Sequence, residues 1–108
     1  LLAAALACNK TQFHPANPNV TYAPTDSVAV FRNFPEAEYV NIGTIRVVGP
    51  DKDDLLKDVR SEARKIGAHA VIVKPPAART NAYASERRQE FSKVEYIMEA
   101  EALRWKER

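Results

Sequence analysis

The residues of this 108-residue chain whose types and spacing bear on chemistry are one cysteine, two histidines, a knot of three aspartates and three arginines. A single thiol, Cys8, excludes an intrachain disulfide and an all-cysteine zinc site, and leaves covalent modification of that sulfur as its chemistry. His14 and His69 lie too far apart in sequence to form a local ligand pair, and a structural zinc wants about four ligands. His69, set among apolar residues, is expected to be a strand residue with a satisfied hydrogen bond. Asp51, Asp53 and Asp54 lack the alternate spacing, glycine and closing glutamate of a calcium loop, and suit the positive end of a helix instead. Arg79, Arg87 and Arg88 form a basic cluster: a solvated loop, a contact for a partner, or a contact for anionic lipid head groups. The sequence holds no phosphate-cradling loop, nucleophile elbow or metalloprotease helix, and three glycines leave little material for one. An enzyme is therefore not expected, and neither is a cofactor or a metal.

What precedes Cys8 is informative. Leu1, Leu2, Ala3, Ala4, Ala5, Leu6 and Ala7 are apolar, small and uncharged, and the chain turns polar directly after the cysteine. Seven such residues fall far short of the roughly 20 that span a bilayer. They read as the end of a signal peptide with small residues at its cleavage site. Ala5, Leu6, Ala7 and Cys8 together resemble the lipobox of bacterial lipoproteins. A leucine is commoner three places before the cysteine, where this chain has Ala5, whereas the small Ala7 fits the family. The resemblance implies diacylglycerol on the Cys8 sulfur, cleavage before Cys8, acylation of the new amine, and permanent attachment to a membrane. Asn9 is not the aspartate that retains such proteins at the inner membrane of enteric bacteria. The resemblance thus implies an outer-membrane, periplasm-facing location, with inner membrane or cell surface as alternatives. The competing reading of residues 1–8 is a short alanine-rich helix with a buried thiol. A helix that short is marginal by itself.

Stepping along the chain, residues 1–7 are expected to be a signal-peptide remnant, 8–26 a lipidated tether and 27–108 one small domain. The tether reading rests on Pro15, Pro18 and Pro24 among polar residues, without periodicity. Fully extended, it would reach on the order of 55 Å. An apolar fraction of 45% and a charged fraction of 28% are those of a folded globular unit. The 16 basic and 14 acidic residues are interspersed and leave a net charge of +2, which argues against nucleic acid as a partner.

Within the domain, alternation and β-branched residues predict strands over 27–31 and 39–48, expected to pair antiparallel, with a bulge or close backbone approach at Gly43. A helix is predicted over 51–66. Asp51 caps it, Leu55, Leu56, Val59, Ala63 and Ile66 form its apolar stripe, and Gly67 stops it. Residues 68–73 form a run of apolar character expected of a central strand. A period of two predicts a last strand over 91–105, and residues 75–89 read as a loop. The expected fold class is α+β, strand-strand-helix-strand-strand: a four-stranded sheet with one packed helix. On a regular pleat Val40 and Ile42 would oppose Ile45 and Val47, so both sheet faces would be apolar. The face away from the helix then needs a second cover from the 75–89 loop, the tether, a dimer partner or another envelope protein.

The run Tyr39, Val40, Asn41, Ile42, Gly43, together with the junction from Glu62 through Gly67 and Ala68 into Ala70, Val71, Ile72 and Val73, resembles the small domain shared by the Rcs envelope-stress sensor lipoprotein, the YbjQ proteins described as heavy-metal binders, and several bacterial lipoproteins. The likeness spans about 28–105. The sensor's disulfides have no counterpart here, and the metal-binding label meets no ligand cluster. The function expected is that of a non-catalytic envelope lipoprotein acting through protein-protein contact, as sensor or assembly support. The alternative is a periplasmic small-ligand or metal-binding module. Partners expected are the membrane, through Cys8, and an envelope protein or a second copy.

Overall fold

The computed structural model describes residues 9–84 and 90–106. The elements in chain order are β1 (Lys10–Pro15), β2 (Ala29–Phe31), β3 (Tyr39–Gly49), α1 (Lys52–Lys65), β4 (Ala70–Val73), β5 (Ala77–Ala84) and β6 (Glu90–Trp105). The fold is α+β, as expected, but the single helix packs on a mixed sheet of six strands rather than four. The strands run in the order β1-β3-β6-β4-β2, with β5 also paired to β6.

Helix α1 forms where its local chemistry asks for it. Asp51 is the N-cap, its Oδ1 accepting from the Asp53 N–H at 2.9 Å, and Asp53 and Asp54 occupy the first turn. At the other end Gly67 takes φ +84°. The Gly67 N–H donates to Arg64 O at 3.3 Å and the Ala68 N–H to Ala63 O at 2.9 Å. These two bonds close the helix in a Schellman arrangement that favours glycine. Leu55, Val59 and Ala63 are buried along the inner stripe.

The sheet differs from expectation in three places. Residues 10–15, expected within the tether, form β1 and pair antiparallel with β3 from Lys10↔Val48 to Pro15↔Gly43. Being an edge strand, β1 needs only one apolar side chain, Phe13, so it leaves no period in the sequence. The loop expected at 75–89 contains β5, which pairs with β6 from Ala77↔Ile97 to Ala84↔Glu90. Pro75 and Pro76 interrupt a path that otherwise runs on from β4, since β4 and β5 lie along the same side of β6. Finally, β2 does not pair with β3. It lies parallel to β4, with Ala29↔Ala70 and Phe31↔Ile72 in register. With β3 taken up on both sides by β1 and β6, β2 finds its partner beyond the crossover of β3 and α1.

Gly43 resolves the question of the two apolar faces. The β3–β6 register slips between Asn41 and Gly43, and a bulge adds one residue to one strand. Ile42, Ile45 and Val47 therefore all enter the core under α1, joined by Met98, Ala100 and Ala102 of β6 and by Val71 and Val73 of β4. The expected opposition of Ile42 to Ile45 and Val47 does not occur. At φ +149° Gly43 sits where a Cβ would come within 2.5 Å of His14 O and the Phe13 ring. The Phe13 ring covers the space a side chain would fill.

Candidate interaction surfaces

Because register partners share a face and side chains alternate, the face opposite α1 can be written down. It carries Lys10, Gln12 and His14 of β1, Thr44, Arg46 and Val48 of β3, and Ile97, Glu99 and Glu101 of β6. Beyond them lies a second, smaller core of Ala70, Ile72 and Leu103, packed under Phe31, Tyr39 and Trp105. Phe31 and Trp105 meet edge to face, ring centroids 6.0 Å apart. So the cover anticipated for this face comes, at one end, from the domain's own aromatics. Its remainder is a mixed row of charge, amide and aliphatic groups. At the centre of that row Arg46 is half-buried, and its Nε is shut from solvent without a hydrogen-bond partner among the described residues. A buried polar group left so costs roughly 1–3 kcal/mol. In the sequence Arg46 stands between Ile45 and Val47.

A second surface is the ribbon formed by β5 with the first half of β6. Pairing of β6 to β3 ends at Tyr96↔Gly49, so from Glu90 to Glu95 β6 pairs with β5 alone. Arg79 lies on β5 opposite Glu95, its Nη2 3.4 Å from Glu95 Oε1 in an exposed pair. Such a pair contributes at most about 1 kcal/mol. Arg87 and Arg88, and likewise Cys8 with residues 1–7, lie outside the described residues.

A third surface is an apolar groove of about 340 Å³ lined by Phe13, Pro18, Val20, Tyr22, Ile42 and Ile66, with Lys65 at its rim. Its wall is the segment expected to be free tether. That segment is docked instead. Thr25 donates its N–H to Arg64 O at 2.9 Å and its Oγ1 hydroxyl to Ala68 O at 2.6 Å. Arg104 stacks its guanidinium 4.6 Å from the Tyr22 ring centre while Nη1 donates to Gly67 O.

The histidines stay apart. His14 is exposed on β1 opposite Thr44, whereas His69 precedes β4 on the far side of β3 and β6, at least about 14 Å away at ordinary strand spacing. His69 Nδ1 accepts from the Trp105 N–H at 3.0 Å, so its hydrogen bond is satisfied as anticipated, although the residue lies just before β4 and not within the strand. Among the described residues no three of His, Cys, Asp or Glu are grouped to hold a metal ion. No described helix is long and apolar enough to cross a membrane.

Fold and surface together define a small α+β domain, one helix on a mixed six-stranded sheet, with open faces and edges. No family model matches the chain, and no curated protein matches it. Among solved structures it is similar to the Francisella virulence factor FvfA in its orthorhombic crystal form. That likeness has 20% identity and a TM-score of 0.55 and covers 87% of this chain and 96% of that one. At that identity it is a likeness of fold.

Proposed function

We propose that this chain is a non-catalytic bacterial envelope lipoprotein, anchored through Cys8 and acting by protein-protein contact at the sheet face opposite α1. The observation that carries the contact is Arg46. Its half-buried side chain lies in a row of Lys10, Gln12, Glu99 and Glu101, beside an aromatic end, and the part left open to solvent offers a charge that a partner's carboxylate would pair with. The anchor rests on the resemblance of Ala5, Leu6, Ala7 and Cys8 to a lipobox, and an outer-membrane, periplasm-facing site goes with it. The test has two arms. Intact mass and fractionation of the protein from bacterial membranes, beside Cys8→Ala, should give acyl mass that the variant loses. Photocrosslinkers at Gln12 and Glu99 should trap one protein species, and Arg46→Glu should abolish that product. A soluble, unacylated chain, or crosslinking indifferent to Arg46→Glu, would count against the corresponding arm.

A second reading, a small-ligand module, is favoured by the apolar groove with Lys65 at its rim. Apolar pockets with a few polar groups are the usual form of such sites. Retention of an apolar carboxylate by the purified domain, lost in Val20→Asp, is the result it predicts.

A further inference from the structure

The anchor point and the long strand β6 constrain each other. Asn9 directly follows Cys8, and it is already part of the body: its Nδ2 donates to Asp58 Oδ2 of α1 at 2.6 Å, and its side chain fills the space beside Gly49. Lys10 is already paired in β1. One peptide link of about 3.8 Å thus separates the folded body from a lipidated Cys8, in place of a tether.

The register shows where along the sheet that link attaches. Lys10 is paired to Val48, and Val48 to Ile97. Ile97 is the eighth residue of the sixteen in β6. From that level the ribbon runs on to Glu90, about 23 Å at strand rise, and the body runs the other way to Trp105, about 26 Å. The anchor therefore enters at the middle of the molecule's longest strand, not at one end of it.

Were the strands to stand along the membrane normal, one half would be driven into the bilayer whichever way the domain pointed. Neither half belongs there. The ribbon has charged positions at Arg79, Glu90, Lys93 and Glu95. Charged side chains are costly inside the hydrocarbon region. The other half ends in exposed Lys106 and the charged row Glu99, Glu101 and Arg104.

We infer that the lipidated protein lies down on its membrane, its strands running along the bilayer plane with edge strand β1 nearest the head groups, so that ribbon and body are held at similar heights. The inference rests on lipidation of Cys8, proposed above. An embracing partner would then approach along the membrane surface, and one reaching across the envelope would meet the side of the sheet away from β1.

Lipidation itself makes the test clean, because a blocked Cys8 leaves an introduced cysteine as the one thiol to label. Thr80→Cys on the ribbon and Lys106→Cys at the far end, both exposed, would carry a donor dye on the full-length acylated protein. The protein is reconstituted in vesicles of phosphatidylethanolamine and phosphatidylglycerol with acceptor-labelled lipid. Along β6 the two sites are separated by about 40 Å. Heights above the bilayer that agree within about 10 Å are expected. An acylated protein in which one site stands 30 Å or more above the other overturns this inference alone. A chain that carries no acyl mass overturns the lipoprotein reading and this one with it.

Discussion

Arg104 ties three stretches of chain together through one guanidinium: β6 that bears it, the carbonyl of Gly67 behind α1, and the ring of Tyr22. Hydrogen bonds from a charged donor contribute about 1.5–3 kcal/mol, and a partly exposed cation-π contact about 0.5–1 kcal/mol. Arg104→Met keeps the stem, so it should lower unfolding stability by about 2 kcal/mol in urea titration and raise amide exchange at 22–25; unchanged exchange there would mean that the Thr25 bonds suffice to hold the segment. Gly43 carries a steric constraint of a different kind. Its φ of +149° and the 2.5 Å approach of His14 O leave no room for a methyl group, so Gly43→Ala should cost at least about 2 kcal/mol. Phe13→Ala would relieve only the ring contact, and the double variant should still be destabilised because the backbone oxygen stays. His69 is simpler. Replacing it by phenylalanine removes the acceptor for the Trp105 N–H and should cost about 1–3 kcal/mol, visible as loss of protection at that amide.

At the scale of elements, α1 behaves as its sequence says. Asp51→Ala should cost about 0.5–2 kcal/mol through the lost cap, and Leu55→Ala, at a fully buried position, about 2–5 kcal/mol. Thermal unfolding of the pair would check both, and equal effects would mean that the core under α1 collapses around the cavity. The helix, β3, β4 and β6 were legible because a buried stripe or face imposes a period on the residues that fill it. The unreadable elements share a physical cause: their stability comes from main-chain pairing. β1 contributes one ring, Phe13, and β5 follows two prolines, and strands held mainly by ladder bonds write little into side-chain chemistry. Residue-counting also misplaced Ile42, since a period of two fails wherever a bulge inserts a residue. Of the candidate surfaces, the sequence pointed to Arg79 and to an incompletely covered sheet face. It did not distinguish Arg46, whose interest arises from what fails to surround it.

For the whole molecule, the question is how an open sheet avoids pairing with its neighbours. Along the main strand order one edge is β2, three residues long, and a short edge is a known way to discourage pairing. The other is β1, which covers β3 along Thr44 to Val48, the stretch that holds Ile45 and Val47 of the core. Taking β1 away would strip one of the two ladders from β3 and expose the side of Gly43 that Phe13 now covers. A chain beginning at residue 16 should therefore lose stability and gain a concentration-dependent dimer, as β3 edges pair with each other in place of β1. Light scattering over a range of concentrations, beside urea titration, reads both effects. Restoring β1 as a free peptide of residues 9–15 should return the monomer, because the ladder it supplies is the one the dimer replaces. A truncated chain that stays monomeric with full stability would show that residues 10–15 pair with β3 without protecting it.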